Sequence, residues 1–530
     1  KYSKKPSNNQ ARGEIKNTYL CIMTIQKYPI GLQDFGGIRR EGHVYVDKTN
    51  HIHKLINFAK YYFLSRPRRF GKSLLISTLE CVFRGQKELF EGLYIFDKWE
   101  FEPYPIIRIS FASIGYRDTG LLSALHRELD SIATQHDLIL ESEGLSHKFN
   151  ELIKSLYHKY NQQVVILIDE YDKPIIDYLD NERLHLAHEN RGVMKTFYSI
   201  LKDADPYLKL VFITGVSKFS QVSIFSDLNN LYDITMRQEF NEICGISQQE
   251  VDANFAQELA VYDREKIRQW YNGYRWHVNG AKMYNPFSLL NFFVDGDYRN
   301  YWYATGTPTF LIEKSKEEMF YDYDNVVVSP FILQSFDIDK MELIPVLFQT
   351  GYLTISGKDE ILDDLILSYP NKEVKQAYLE RLTDQYIHAR NIITSKTILD
   401  RLLKALRAKN ESDLQNAINA TFSHIPYPLW QKENEHFYHA VIHLLFSLLG
   451  VYIHSEVHTK DGRADAIILF EDHVYCLEFK LDKSAESAIQ QVKDKGYLDA
   501  YRNKASHFSI IGINFSSEEK KVEKLIWEDL

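Results

Sequence analysis

Residues 61–75 read YYFLSRPRRFGKSLL, and they indicate how the N-terminal part of the chain folds. A short apolar run is followed by a polar loop, after which apolar residues recur at helical spacing. This order predicts a buried strand, a loop and a helix whose N-terminus lies at the loop. Further apolar runs at 105–110, 164–168 and 209–214 alternate with segments long enough for helices. Strands that alternate with helices predict a parallel α/β sheet.

The loop carries the groups that bind a phosphate chain. Backbone N–H groups at a helix N-terminus attract anions, a lysine reaches the outer phosphates, and a hydroxyl binds the accompanying Mg²⁺. Arg66 stands where the usual eight-residue pattern begins with glycine. The loop residues predicted to bind ATP are Arg66, Arg68, Arg69, Phe70, Gly71, Lys72 and Ser73, with Ser73 also a Mg²⁺ ligand. For the arginines, a solvated basic turn is an equal alternative.

A second motif supports a nucleotide site. Residues 164–170 read VVILIDE, an apolar strand that ends in two acids. We predict that Asp169 holds Mg²⁺ and that Glu170 is catalytic and polarises the attacking water. Thr214, at the end of the next strand, is predicted to lie beside the γ-phosphate, with simple capping as the alternative. Arg237 is a weaker candidate for a sensor arginine.

Residues 451–482 predict a three-stranded meander at the other end of the chain. Strands are predicted at 451–458, 463–469 and 474–480, joined by short turns. With turns of that length, Glu456 lies opposite Asp465, and Asp465 lies opposite Glu478. Paired residues on neighbouring strands share a face, and Lys480 returns to the same face two residues after Glu478.

Such a row of acids indicates a metal site. Like charges side by side destabilise a sheet unless a cation lies between them. A divalent metal would relieve the repulsion and lower the pKa of a bound water. We therefore predict Glu456, Asp465 and Glu478 as metal ligands, and Asp465, Glu478 and Lys480 as catalytic residues that hydrolyse phosphodiesters in DNA or RNA. A solvated polar face of a sheet is the simpler alternative.

Several neighbours are weaker candidates. Glu435 precedes an apolar helix predicted to end at Gly450, and Gln491 and Tyr497 are predicted on a helix after the third strand. Glu435 could reach the edge of the metal site, and the alternative is a first-turn acid favoured by the helix dipole. Gln491 and Tyr497 could contact DNA or Lys480, and the alternative is that they are polar surface residues. A histidine zinc site is disfavoured, because His436, His439 and His443 form no HExxH motif.

Length and composition limit the remaining function classes. The 530 residues are too many for one hydrophobic core, and a net charge of −9 is unlike that of a protein that coats nucleic acid. Four widely separated cysteines suit a reducing compartment. No stretch approaches the ~20 apolar residues that span a bilayer. These features predict a cytoplasmic protein without a membrane partner, and an oligomer is compatible with them.

These motifs together resemble a bacterial family of AAA-ATPase-like proteins fused to a PD-(D/E)XK nuclease domain. The residues that carry the resemblance are the Arg66–Ser73 loop, Leu167 to Asp172, Trp270 to Tyr274, Tyr284 to Pro286, Phe348 to Tyr352, and Asp465, Glu478 and Lys480. The resemblance implies an α/β multidomain protein. Its parts would be a P-loop NTPase with a parallel sheet, a helical, winged-helix-like middle, and a C-terminal restriction-endonuclease-like α/β domain. An Arg-Pro-Arg-Arg-Phe loop resembles the family's own version of the motif.

The predicted domain boundaries follow from these motifs and the periodicity between them. Residues 1–22 are predicted as a flexible basic tail, 23–235 as the ATPase-like domain, 236–370 as the lid or winged-helix-like middle, 371–425 as a helical connector, and 426–530 as the nuclease-like domain.

The sequence therefore predicts an ATP-binding, ATP-hydrolysing switch that controls a Mg²⁺-dependent nuclease. The alternative is a nucleotide-dependent scaffold that binds nucleic acid or protein through a non-cleaving nuclease-like domain. A third reading is an interaction protein with a degenerate phosphate loop.

Overall fold

The computed structural model describes most of the chain from Gln26 to the C-terminus. The described residues are 26–180, 182–218, 224–225, 228, 230–302, 309–318, 323–334, 342–386, 394–423, 435–452, 457–458, 465–470 and 472–530. Within them, no helix combines the length and the apolar character needed to cross a membrane.

The N-terminal domain is built on a five-stranded parallel sheet. Its strands are β1 (Tyr61–Ser65), β2 (Ile106–Ser110), β3 (Val164–Asp169), β4 (Leu208–Gly215) and β5 (Tyr232–Asp233), in the order β2-β3-β4-β1-β5. Every residue of β1 and β3 is buried, as expected for strands covered by helices on both faces. The predicted parallel α/β sheet is confirmed. Because β4 lies between β1 and β3, the carboxyl ends of all three strands meet at one edge of the sheet.

Helices cover both faces of this sheet. They are Phe35–Arg40, Thr49–Phe58, Lys72–Phe83, Tyr116–Thr119, Leu121–Gln135, Leu145–Tyr160, Lys173–Ile176 and Leu184–Tyr198. Helix Lys72–Phe83 begins directly after the phosphate-type loop, with Gly71 as its N-cap at φ 88°. Glycine adopts this left-handed conformation without the steric cost that a side chain would add.

The middle of the chain is largely helical. Its helices are Gln248–Asn254, Ala256–Val261, Arg264–Tyr271, Pro286–Asp295, Thr309–Glu317 and Leu343–Thr350, and its strands are β6 (Ile246–Ser247), β7 (Met283–Tyr284), β8 (Val326–Val328), β9 (Thr354–Lys358) and β10 (Leu365–Ser368). The last three form an antiparallel sheet in the order β8-β10-β9. The helical middle that the resemblance implies is present, and it includes this small antiparallel sheet.

Three separate helices occupy residues 248–271, at the start of the middle of the chain. Ser247 and Glu250 form a capping box that starts the first helix. Asp263 starts the third, because its carboxylate accepts the backbone N–H groups of Glu265 and Lys266. Each cap satisfies donors that a continuous helix would have bonded internally.

Three helices follow the middle: Lys372–Tyr386, Ser395–Ala408 and Glu411–Phe422. The first two pack against helix Glu435–Tyr452, and the third packs against the last strand of the chain. Gln415 Nε2 donates to Val522 O at 3.0 Å, and Val522 N donates to Asn419 Oδ1 at 2.7 Å. These bonds attach the third helix to the C-terminal sheet.

The C-terminal sheet is mixed. Its strands are β11 (Val457–His458), β12 (Ala466–Phe470), β13 (His473–Leu481), β14 (His507–Ser516) and β15 (Lys521–Asp529), in sequence order. Only β13 and β14 are parallel, and helix Ala485–Lys495 makes the crossover between them. This is the C-terminal α/β domain that the resemblance implies.

The predicted strand at 451–458 is wrong at its start. Helix Glu435–Tyr452 continues through Gly450, which was predicted to end it. An internal glycine costs about 1 kcal/mol relative to alanine. The buried side chains of Leu448 and Leu449 offset that cost by packing against the rest of the domain.

Candidate functional site

A cavity of about 400 Å³ lies against the N-terminus of helix Lys72–Phe83, at the carboxyl edge of the parallel sheet. This volume is within the usual range for small-molecule sites. Its lining includes the polar side chains of Lys72, Ser73, Glu170 and Lys173. The cavity therefore has charged groups where a phosphate chain would lie.

Lys72 lies at the base of this cavity. Its Nζ donates to the carbonyl oxygens of Arg66 and Pro67, both at 3.0 Å. Burial lowers the pKa of the Lys72 ammonium, and the nearby carboxylates of Asp169 and Glu170 oppose that shift. Lys72 thus bonds to the start of its own loop, and its ammonium lies near the carboxylates of Asp169 and Glu170.

The two acids at the end of β3 differ in their surroundings. Asp169 is almost fully buried, and its Oδ1 accepts a hydrogen bond from Glu170 N at 3.0 Å. Glu170 lines the cavity and has a left-handed backbone at φ 51°, which strains a residue other than glycine. Burial, and next the charge of Asp169, raise the pKa of Glu170. Carboxylate and hydroxyl oxygens are the donors that Mg²⁺ prefers, so Ser73 and these acids fit the ion.

Two residues predicted to contact the nucleotide have their polar groups engaged elsewhere. The Arg66 side chain is fully buried and donates to backbone carbonyls behind the loop. The Thr214 hydroxyl is buried in the sheet and donates to Leu64 O at 2.8 Å. Both were predicted from position alone, and the packing of the sheet turns them away from the cavity. Neither residue lines it.

The remaining loop residues do line the cavity and also contact the middle of the chain. Arg68 O accepts a hydrogen bond from Trp302 Nε1 at 3.0 Å. The Arg69 guanidinium lies 5.0 Å from the centre of the Phe287 ring. The Phe70 ring meets Tyr274 and Trp276 edge-on, with ring centres 4.7 and 5.2 Å apart. Four aromatic residues from the middle of the chain therefore contact the loop, and one of them, Tyr274, belongs to the motifs that carry the family resemblance.

The walls of the cavity were missed by sequence reasoning. They come from residues 29–33, 44–46 and 243–246 and from helix Pro286–Asp295. Most of these side chains are apolar, which suits a flat organic ring, and apolar residues form no motif. The one available signal was Tyr284-Asn-Pro286, because Asn285 caps helix Pro286–Asp295 by accepting from Phe287 N and Ser288 N.

Asp172 is a further residue near the sheet edge for which the sequence predicts no role. It is 1% exposed, and its Oδ2 accepts from Val216 N at 3.0 Å and from Ser217 N and Oγ, both at 2.7 Å. These bonds fix the loop that follows β4. The next residue, Lys218, donates its backbone N–H to Gln349 Oε1 at 2.8 Å. The sheet edge is thereby joined to helix Leu343–Thr350.

Arg237, the weaker sensor candidate, lies outside the cavity lining. Its Nε donates to Asp233 O at 3.2 Å, and its guanidinium lies 3.9 Å from the centre of the Tyr232 ring.

A second candidate site lies on the C-terminal sheet. Ala466 pairs with Leu477, and this register aligns Asp465 with Glu478 on one face, as predicted. Glu478 is 2% exposed, and its Oε1 accepts from Lys480 Nζ at 2.8 Å and from Gln491 Nε2. Asp465 Oδ2 accepts from Phe479 N at 2.7 Å. The two acids and the ammonium therefore lie together.

The electrostatics of this cluster favour a cation. Burial, and next the charge of Asp465, raise the pKa of Glu478, while Lys480 opposes that shift. Glu478 Oε2 is buried and has no hydrogen-bond partner among the described residues. A free buried carboxylate oxygen beside a second carboxylate fits Mg²⁺, which is typically bound by one or two carboxylates and several waters.

The third predicted ligand cannot be placed. Glu456 lies outside the described residues, and among those residues no three His, Cys, Asp or Glu side chains are grouped closely enough to hold a metal. The predicted register of this strand is wrong, because Val457 pairs with Ile468, four positions from the partner that the predicted pairing of Glu456 with Asp465 requires. Helix Glu435–Tyr452 takes up the first two positions of the predicted strand, and the described part of β11 is Val457–His458.

Two of the neighbouring residues that the sequence analysis names, Gln491 and Tyr497, lie beside this cluster. Gln491 lies on helix Ala485–Lys495, whereas Tyr497 follows its C-cap Gly496. Gln491 Nε2 lies 3.3 Å from Tyr497 Oη, so the tyrosine is beside the cluster although it is not helical. His443 packs in helix Glu435–Tyr452, where burial lowers its pKa to about 4.

Comparisons with known proteins agree with this two-part organisation. The family model described as "Predicted AAA-ATPase" matches residues 29–225, and the model described as "PD-(D/E)XK nuclease superfamily" matches residues 433–525. The chain is 38% identical over 522 residues to "Uncharacterized protein in vnfD 5'region" of Azotobacter chroococcum mcd 1, an alignment that covers 96% of this chain and 100% of that protein. No solved structure matches the chain.

Proposed function

Since the chain belongs to a family that joins a predicted AAA-ATPase domain to a PD-(D/E)XK nuclease superfamily domain, we propose that it is an ATP-hydrolysing switch that controls a Mg²⁺-dependent nuclease. The observation that carries the nuclease half is the free, buried Oε2 of Glu478 beside Asp465 and Lys480. The substrate class is DNA or RNA, since both contain the phosphodiester bond that such a cluster attacks. The proposed domains are the ATPase-like domain at 23–235, the middle at 236–370, the helical connector at 371–425 and the nuclease-like domain at 426–530.

In the nuclease half, Asp465 and Glu478 bind the metal through their carboxylate oxygens. A bound divalent ion supplies Lewis acidity and lowers the pKa of a coordinated water. Lys480 neutralises charge that develops on the phosphate, from a side chain that is 18% exposed. Gln491 holds the Glu478 carboxylate from the neighbouring helix through its Nε2.

In the ATPase half, Lys72 contacts the outer phosphates and Ser73 and Asp169 hold Mg²⁺. Glu170 lines the cavity and orients the attacking water. Its raised pKa reflects burial and the adjacent Asp169, and a cation bound by Asp169 would oppose that shift. The apolar walls from residues 29–33 and helix Pro286–Asp295 receive the base.

A chain of aromatic contacts supports coupling between the two halves. Trp302 bonds to the phosphate loop at Arg68 O, and its backbone N–H donates to Glu373 Oε1 at 2.7 Å. The ring centres of Trp302 and Tyr352 are 5.1 Å apart, and those of Tyr352 and Tyr378 are also 5.1 Å apart. Tyr378 belongs to helix Lys372–Tyr386, which packs on helix Glu435–Tyr452 of the nuclease domain. We propose that nucleotide state moves this contiguous network.

The test is cleavage of plasmid, linear duplex, single-stranded DNA and RNA with Mg²⁺ or Mn²⁺, with and without ATP. Wild type is compared with Lys480→Ala, Lys72→Ala and the control Lys483→Ala, an exposed lysine three residues beyond Lys480. The proposal is supported if cleavage is lost in Lys480→Ala, is retained in Lys483→Ala, and is either lost or independent of ATP in Lys72→Ala. Salt-dependent binding of nucleic acid without cleavage would favour the scaffold instead.

A further inference from the structure

Arg66 occupies a position behind the phosphate loop that the proposed chemistry does not use. Its side chain is fully buried. Its guanidinium nitrogens donate to Ser65 O at 2.9 Å, Thr235 O at 2.8 Å and Phe240 O at 3.0 Å. A single side chain thus ties the start of the loop to the segment that follows β5.

The same guanidinium lies over an aromatic ring from the middle of the chain. The distance from Arg66 Cζ to the centre of the Trp276 ring is 4.0 Å. Trp276 also meets Phe70, near the end of the loop, with ring centres 5.2 Å apart. One tryptophan therefore contacts the phosphate loop near both ends.

A buried cation needs compensation, and here carbonyl oxygens and a π face provide it. Burial lowers the pKa of Arg66 to about 10, so the side chain is still charged at neutral pH. The planar guanidinium can serve several fixed acceptors and stack at the same time, which the point charge of a lysine ammonium cannot do. The arrangement is therefore specific to arginine.

We propose that Arg66 is a positioning residue for the nucleotide, which fixes the shape of the phosphate loop by clamping it to Thr235, Phe240 and Trp276. The loop carbonyls of Arg66 and Pro67 are the acceptors for Lys72 Nζ, so the clamp also sets where that ammonium lies. The inference rests on the proposed binding of ATP. It explains why this loop carries arginine where glycine is usual: the side chain supports the loop from behind.

A simpler idea is that Arg66 only adds positive charge near the phosphates. Arg66→Lys separates the two, because it keeps the charge and loses the fork of hydrogen bonds. We measure the Kd of a non-hydrolysable ATP analogue by calorimetry for wild type, Arg66→Lys, Arg66→Met, Trp276→Phe and Trp276→Leu. The stability control is Phe149→Leu, a buried ring stacked on Phe197 at 4.3 Å in helices that do not line the cavity.

Loss of the clamp lowers the fraction of protein whose phosphate loop has the binding-competent shape, so we expect a Kd raised by about tenfold or more in both Arg66 variants. Trp276→Leu raises Kd several-fold and Trp276→Phe restores it, because a ring face is retained. Phe149→Leu lowers the melting temperature and leaves Kd unchanged. Binding of the analogue to wild type tests the nucleotide site itself, independently of the variants.

The outcomes separate the two proposals. Wild type that fails to bind the analogue contradicts the nucleotide site and the clamp together. Wild type that binds while Arg66→Lys binds equally well contradicts the clamp alone. If the Arg66 variants do not fold, the Trp276 pair decides, and equal affinities in Trp276→Leu and wild type overturn the inference.

Discussion

Glu478 on β13 lies opposite Asp465, which directly precedes the neighbouring antiparallel strand β12, and one carboxylate oxygen of Glu478 is buried and unbonded among the described residues. Two acids in this arrangement raise the free energy of the sheet, and a cation lowers it. The other oxygen of Glu478 is held by Lys480 and Gln491. In the proposed site, the remaining oxygen of Glu478, Oε2, would bind the cation together with Asp465.

Metal binding should depend on Glu478 and on pH. We expect calorimetry of the nucleotide-free protein to detect Mn²⁺ binding in wild type and a loss of about tenfold or more in affinity in Glu478→Gln, because a ligating charge is removed. Protons compete with the metal at a carboxylate whose pKa is raised, so affinity falls as the pH is lowered. Glu518→Gln, an exposed acid, is the control. Equal Mn²⁺ affinity in Glu478→Gln and wild type would contradict the metal site.

Lys72 should be required for stabilisation by nucleotide. A ligand that binds only the folded state raises the melting temperature. At a concentration of 100 times its Kd, it adds about 2.7 kcal/mol to the free energy of unfolding. We expect ATP with Mg²⁺ to raise the melting temperature of wild type and of the exposed-lysine control Lys54→Ala, and not that of Lys72→Ala. A similar rise in Lys72→Ala would show that the nucleotide binds elsewhere.

Glu373 should make the stability of the protein depend on pH. Burial raises its pKa from 4.5 to about 7, and its Oε1 accepts from Trp302 N and Ser288 Oγ. The neutral form of Glu373 is favoured in the folded state. Its contribution to the free energy of unfolding is therefore fully present below pH 4.5 and is lost as the pH rises through about 7. The contribution lost over this range is about 3 kcal/mol.

Glu373→Gln keeps the acceptor oxygen and removes the titration. We expect wild type to lose more stability than this variant between pH 5 and pH 8, as measured by denaturant unfolding. Parallel curves for the two proteins would mean that Glu373 does not titrate in this range.

Trp302 should link ATP to cleavage without being needed for binding. Trp302→Phe keeps a ring near Tyr352 and removes the hydrogen bond from Nε1 to Arg68 O. We expect the Kd of ATP to change only a few-fold, because a neutral hydrogen bond is worth about 1 kcal/mol, while the effect of ATP on the cleavage rate is strongly reduced.

The matched control is Trp527→Phe, which also loses an indole hydrogen bond, to Asp529 Oδ1 at 3.1 Å on the C-terminal sheet. It should retain the full ATP effect. A normal ATP effect in Trp302→Phe would show that the two halves are coupled by another route.

Local patterns were enough to predict the parts of the molecule that depend on short-range geometry. The strand, loop and helix around Lys72 follow from an apolar run, a glycine and helical periodicity. The shared face of Asp465, Glu478 and Lys480 follows from the two-residue period of strands and a short turn, which fix the register of β12 and β13.

Features that depend on long-range packing could not be predicted. The burial of Arg66 under Trp276 joins residues more than two hundred positions apart. The cavity walls at 29–33 and in helix Pro286–Asp295 are apolar and form no motif. The helix before β11 continues past Gly450, a glycine that local rules interpret as a stop, and Leu448 and Leu449 beside it are buried by packing that no local pattern shows.

The most direct test of the ATP-controlled nuclease is the rate of DNA and RNA cleavage in Mg²⁺, measured with and without ATP, for wild type beside Lys480→Ala. We expect wild type to cleave at least one of these substrates at a rate that changes with ATP, and Lys480→Ala to be inactive while it still binds ATP. Cleavage of equal rate in Lys480→Ala and wild type, or no cleavage of any substrate by wild type in Mg²⁺ or Mn²⁺, would contradict the account.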